Sequence, residues 1–351
     1  MRYLGLDFGG TGIKGGLVNP ETGVCESRSI DLDTRDFNKD EELSAELFWQ
    51  IHNKFSTNPI IAISAAGVID QTNLTISGSP NARIKDLSFP RALKERGYAI
   101  HLVNDLTAMA SRVLLWQKRT GIVVSNMGTG YSMRSINRGR IAPENGEPGH
   151  IPYAPRFVPS WALIKCNCSQ EAESHLEPYV AGVGAPKMAA GYFAMYPQKM
   201  KNHPIIEDMF ASLNNNDAPK KIDDIFALAK KSGFRSALDG MLPQNVYDAF
   251  EKFPEQEPQN SILRIQRGAV ADHLGIISGF FDPQEILLVG GTARVRANIL
   301  TLPAIEMYTS APMGKYGHPN KPRPKITISQ NQNLGIEGAV ANYLLHEKRY
   351  L

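Results

Sequence analysis

The chain has 351 residues, 42% of them apolar and 21% charged, with a net charge of +3. That length holds two domains and a large core, and a charge so near balance excludes a strongly basic nucleic-acid binder. No apolar run approaches the ~20 residues of a membrane span, a strand begins where a signal peptide would lie, and three cysteines make no disulfide framework, so a cytoplasmic protein partnered by neither membrane nor nucleic acid is expected.

The strongest local signal comes first. A short apolar strand ends in Asp7, turns through Gly9, Gly10, Thr11 and Gly12, and resumes as a strand that carries Lys14. Without Cβ atoms such a turn brings backbone N–H groups against a phosphate. A carboxylate beside a phosphate is useful only through a cation such as Mg2+. The helix-opening phosphate loop and the dinucleotide fingerprint both need a helix after the glycines, and here a strand follows. An ordinary glycine-rich β-hairpin is the plainer alternative.

Residues 59–68 read as a buried strand ending in a small-residue turn, and 98–104 as another, followed by a helix from Leu106 to Trp116. Gly121 to Ser125 begins a third strand, which runs into Gly128, Thr129 and Gly130. Residues 262–281 carry helix-spaced apolar positions, and 286–289 form a strand stopped by Gly290, Gly291 and Thr292. Strands alternating with helices predict an α/β fold with largely parallel sheets. The glycine-rich strand ends at 9–12 and 128–130 lie about 120 residues apart. That spacing suggests two related halves, each offering a loop to one nucleotide in a cleft between them. Residues 195–260 are polar and broken, with helical patches at 219–231 and 243–252, and read as a helical insertion on the second domain.

Asn104 and Asp105 sit where an apolar strand gives way to a helix. The plainer reading is an N-cap. Phosphoryl transfer to a hydroxyl needs an acceptor for the alcohol proton, which a carboxylate at a strand end supplies. Gly128-Thr129-Gly130 reads as a second phosphate loop and Gly290-Gly291 as close backbone approach to an adenosine, although each is also compatible with a plain turn. Glu147 and His150 fall in a turn-rich stretch, followed by Cys166, Cys168 and His175. His150, the two cysteines and His175 give the four N/S ligands of a closed zinc site; two reduced thiols and two unrelated histidines are the alternative.

These segments, with Asn-Leu-Gly335-Ile-Glu-Gly338-Ala339 near the end, resemble the ROK family (repressors, open reading frames and kinases) in their order over about 1–190 and 260–345. The resemblance implies an actin-like ATPase (ribonuclease H-like) two-domain fold with a nucleotide cleft between domains. It divides the chain into 1–115, with a last helix of about 338–351 packing back, and a larger domain of 116–337. It implies a homodimeric kinase passing the γ-phosphate of ATP, or in some members of polyphosphate, to a hexose or N-acetylhexosamine hydroxyl, usually on carbon 6. Asp105 would then be the base. Asn81, Asn104, Glu147, His150 and Glu177 would hold the sugar. Asp7, Gly9, Gly10, Thr11, Gly12, Lys14, Gly128, Thr129, Gly130, Gly290 and Gly291 would serve ATP and Mg2+. His150, Cys166, Cys168 and His175 would hold a structural Zn2+ that orients the sugar pocket.

Three departures stand out. His175 replaces a third cysteine in a longer zinc loop that has Ser169 for glycine. Tyr131, Ser132 and Met133 follow Gly130 where the family prefers glycine, and such side chains threaten to crowd the phosphates. The 195–260 insertion is the third. A repressor would need a DNA-binding helix pair ahead of the first strand, for which the sequence leaves no room. A non-catalytic sugar sensor, and an actin-like ATPase of another kind, are the remaining alternatives. Asp7 with Asp105 speaks against the first, and Glu147 and His150 with the metal loop against the second.

Overall fold

The computed structural model describes residues 3–9, 12–55, 59–77, 87–142, 148–155, 158–166, 174–200, 203, 243–253, 255–312 and 322–349. Gly10, Thr11, Asn81, Glu147, Cys168 and the helical patch at 219–231 lie outside the described residues.

The chain begins with β1 (Tyr3–Phe8), β2 (Gly12–Val18), β3 (Cys25–Asp33), α1 (Asp40–Lys54), β4 (Ile60–Ala65), β5 (Val68–Asp70) and β6 (Thr75–Ser77). Next come α2 (Phe89–Glu95), β7 (Ala99–Asn104), α3 (Asp105–Leu115), β8 (Ile122–Met127), β9 (Tyr131–Asn137) and β10 (Arg140–Ala142). Then follow α4 (Glu177–Val180), α5 (Gly184–Met195), α6 (Pro197–Met200), α7 (Pro243–Lys252) and α8 (Gln259–Phe281). The last are β11 (Glu285–Val289), α9 (Gly291–Val295), α10 (Leu302–Ser310), β12 (Lys325–Ile328) and α11 (Leu334–Arg349).

One five-stranded sheet runs β3-β2-β1-β4-β7 and the other β10-β9-β8-β11-β12. Counted within each sheet, the third, second, first, fourth and fifth strands lie side by side, which is the repeat suggested by the two glycine-rich turns; β5 and β6 pair separately. The sheets are mixed rather than largely parallel. β1 pairs antiparallel with β2 and parallel with β4, β9 pairs antiparallel with β10, and β11 pairs parallel with β12. Tight turns force the antiparallel pairing of each opening hairpin, while the parallel pairs need longer crossovers.

Side-chain alternation along β1 explains its two contacts. Leu4, Leu6 and Phe8 are buried in one core cluster with Leu43, Leu47 and Ile51, which recur at helical spacing on α1. Each such side chain, fully buried, contributes about 1.5–3 kcal/mol. Tyr3 and Asp7 fall on the opposite face, against α11: the Tyr3 and Tyr343 rings lie 5.9 Å apart, and a Cβ on Gly335 would meet Asp7 Oδ1 at 2.2 Å. Glycine at 335 is therefore what lets the last helix reach β1. Buried Glu337 fixes that helix by accepting from Arg112 Nε (2.5 Å) and the Cys25 N–H (3.1 Å).

The chain divides into two compact units, one of Met1–Ser125, Met133–Gly146 and Gln330–Leu351, the other of Asn126–Ser132 and Glu147–Ser329. The first unit thus takes in residues 133–146, which the sequence places in the larger domain. No helix among the described residues is long and apolar enough to cross a membrane.

Candidate active site

In the first unit, β7 ends on Asn104 and α3 starts on Asp105. Asn104 Oδ1 accepts the N–H groups of Leu106 (3.2 Å) and Thr107 (3.4 Å), so the capping reading of this residue holds. A third donor was not legible in the sequence: Arg134 Nη2 reaches the same oxygen at 2.8 Å. Arg134, on β9, is fully buried and also donates through Nε to Thr107 Oγ1 (3.1 Å) and through Nη1 to the Met133 carbonyl (2.9 Å). Asp105 is half-buried, and its Oδ1 accepts the Leu106 N–H at 2.8 Å. A cavity of about 490 Å³ opens beside this junction, lined in part by Asp70, Gln71, Asn104, Thr107, Asn342 and His346.

The first glycine turn closes by a hydrogen bond from the Gly9 N–H to the Gly12 carbonyl (2.9 Å). Asp7 Oδ1 accepts the Ser64 hydroxyl at 3.0 Å. Burial pushes the Asp7 carboxyl pKa up, against the pull of the Ser64 hydroxyl and of the Lys14 and Arg28 charges. Lys14 is exposed and stands opposite Asp7 in the hairpin register. A carboxylate at the end of a glycine turn is the hard oxygen donor that Mg2+ accepts.

In the second unit the other two glycine segments come together. The Gly128 N–H bonds the Gly130 carbonyl (3.0 Å), while the Gly128 carbonyl accepts the Gly182 N–H (2.9 Å) and the Thr292 hydroxyl (2.8 Å). Gly290 has φ +99°, and a Cβ there would lie 2.3 Å from Asn126 Oδ1 and 2.6 Å from the Met127 carbonyl. Only glycine fits this corner. Tyr131, Ser132 and Met133, at the start of β9, are all buried. The Tyr131 N–H donates to Glu177 Oε2 (3.0 Å), and its hydroxyl meets Nε2 of buried His273. Burial pushes the His273 pKa down to about 3.

His150, Cys166 and His175 each bring one ligand atom to within 4.8 Å of the others. Cys166 Sγ lies 3.4 Å from His150 Nδ1 and 3.7 Å from Glu177 Oε1. An isolated bridge between Pro152 and His175 sets the second histidine against the first, with ring centroids 5.7 Å apart. Two imidazoles and a thiol in one cluster fit Zn2+, and Glu177, the first residue of α4, abuts that cluster.

The sequence model of the ROK family matches residues 3–343, nearly the whole chain. This chain belongs to the ROK family. Among solved structures, a ROK family glucokinase from Streptomyces griseus, in complex with glucose and AMPPNP, is similar to this ROK protein at TM-score 0.67 and 18% identity, over 97% of this chain and 98% of that one. A ROK hexokinase from Thermus thermophilus gives a TM-score of 0.63 at 19% identity, over 99% and 100%. A ROK family transcriptional regulator, a homolog of the E. coli MLC protein, gives 0.58 at 19% identity, over 98% of this chain and 78% of that one. No curated protein matches the sequence. The shared fold is the actin-like ATPase fold, and the repeated strand order of the two sheets is its signature in this ROK protein.

Proposed function

We propose that this ROK-family protein is an ATP-dependent sugar kinase acting on a hexose or N-acetylhexosamine, at the 6-hydroxyl. The observation that carries the reading is Asp105: a half-buried carboxylate opening α3, directly after a capping Asn104 whose oxygen is held by three donors and which, with Thr107, lines a cavity. Such a group accepts the proton of a sugar hydroxyl as its oxygen bonds to the γ-phosphorus and ADP leaves. Asn104, His150 and Glu177, with Asn81 and Glu147, are assigned to ring hydroxyls. Gly9 to Gly12, Lys14, Gly128 to Gly130, Gly290 and Gly291 are assigned to the nucleotide.

Asp7 would hold Mg2+, which neutralises phosphate charge when bound. His150, Cys166 and His175, with Cys168, would hold a structural Zn2+ that stiffens the segment carrying Glu177. The family includes regulators as well as kinases; Asp7 and Asp105 together favour catalysis, since a sensor needs no base.

The test is ADP release from Mg-ATP against a panel of hexoses and N-acetylhexosamines, with Asp105→Asn in parallel. We expect sugar-dependent release that falls about 100- to 10,000-fold in the variant, with sugar KM little changed. Absence of release with every sugar, while one of them raises the melting temperature, would overturn ATP-dependent kinase activity and point to a sensor or to polyphosphate as donor.

A further inference from the structure

Arg134 is a charged side chain with 0% exposure. Taking a guanidinium out of water is costly unless its five N–H groups find acceptors. Two of its contacts, Nη2 to Asn104 Oδ1 (2.8 Å) and Nε to Thr107 Oγ1 (3.1 Å), fall on either side of Asp105 in the chain. The bond to Asn104 is shorter than the two backbone bonds to the same oxygen, 3.2 and 3.4 Å, as a charge-assisted bond should be. An amide oxygen that takes three donors cannot exchange places with its nitrogen. Turning Asn104 over would set its NH2 against a guanidinium and two backbone N–H groups. Asn104 is therefore fixed as a donor, with only its Nδ2 hydrogens left to offer.

We infer that Arg134 is a positioning and specificity-determining residue of the sugar site, an inference that rests on the kinase reading. It locks Asn104 so that the substrate atom read there must be an acceptor oxygen, and through Thr107 it braces the turn that carries Asp105. A sugar with an ammonium group in place of that oxygen offers only donors and is rejected. Because the lock is a buried cation held at two points, neither a thioether nor an ammonium at 134 reproduces it.

The test compares wild type with Arg134→Met, Arg134→Lys and Thr107→Val, using the accepted sugar and its amino-deoxy analogues, one ring position at a time. In wild type one amino analogue is expected to lose at least ~100-fold in kcat/KM. In Arg134→Met the sugar KM rises ~10-fold, the KM for ATP holds, and discrimination against that analogue shrinks ~10-fold, because Asn104 is then held only by the two longer backbone bonds of its cap. Arg134→Lys falls between. Thr107→Val, which keeps the side-chain shape but strips Arg134 Nε of its acceptor, shifts sugar KM the same way by ~3-fold, with a lower melting temperature that leaves the variant folded at the assay temperature.

Wild-type sugar KM and undiminished discrimination in a folded Arg134→Met would overturn the inference. If that variant does not fold, unchanged sugar KM in Thr107→Val would overturn it instead. A wild-type protein that turns over no sugar would overturn the kinase reading, and this inference with it.

Discussion

The two five-stranded sheets share one strand order, yet their opening hairpins are secured differently. The β1–β2 turn is closed by its own Gly9–Gly12 bond, with Asp7 and Lys14 facing each other beneath it. The β8–β9 turn is closed by a similar Gly128–Gly130 bond and then tied from outside. Gly182 and Thr292 hold its carbonyl, Glu177 holds the Tyr131 N–H, and His273 meets the Tyr131 hydroxyl. A repeated backbone therefore carries two unlike designs. Among the described residues the first turn is closed by its own bond above the Asp7–Lys14 pair, and the second is also anchored to other segments of its own unit.

Removing one anchor of the second hairpin at its source tests that contrast most severely. Cys166→Ser takes a ligand from the His150–Cys166–His175 cluster beside Glu177. Metal retention should fall further than the ~10–100-fold that losing an outer partner costs, with a lower melting temperature that a chelator reproduces on wild type. A wild-type protein purified without zinc would remove the anchor from the argument. Next in size is a pair of alanine substitutions. Gly290→Ala combines left-handed strain with a collision against Asn126 and Met127 and should cost about 2–4 kcal/mol by denaturant melts. In Gly9→Ala the new Cβ meets nothing among the described residues nearer than the Gly12 carbonyl at 3.8 Å, so stability should stay within about 0.5 kcal/mol. Its effect should appear in ATP affinity, measured by titration. Equal destabilisation by both would erase the contrast between the two turns.

The gentlest probe is pH. Burial lowers the His273 pKa to about 3, well below the ~6.5 of an unfolded imidazole. The unfolded chain therefore binds a proton that the folded chain refuses. The contribution is whole above pH ~6.5 and is lost as pH falls toward 3, at about 1.4 kcal/mol per pH unit in the steep part. His101, also lowered chiefly by burial, acts with the same sign. His273→Gln should flatten the loss of stability between pH 6.5 and 4, followed by thermal melts. An unchanged slope would place the acid sensitivity elsewhere.

Much of this was legible locally. Glycine spacing located the first hairpin and the strand end at 128–130, and the apolar run before Asn104 located the β7–α3 junction, where Asn104 caps the helix. The helix at 243–252 was read at the bounds it adopts. Arg134 was not legible. A lone arginine in an alternating strand reads as a solvent-facing side chain, and its acceptor lies 30 positions away. Ser64 escaped for the same reason: a serine in an apolar strand carries no hint of a carboxylate on a neighbouring strand. Pattern finds elements, whereas long-range polar pairing has to be seen.

Gly335 also bears on how the protein is made. The helix it admits to β1, Leu334–Arg349, leaves the ribosome only after the whole of the second unit has been synthesised. Until then the face of β1 that carries Tyr3 and Asp7 lacks its cover, and α3 lacks the helix that Glu337 ties to Arg112. The nascent first half is thus a sheet waiting for its lid, and a translation product interrupted late would carry every residue of the Asn104–Asp105 junction without the support that seats it.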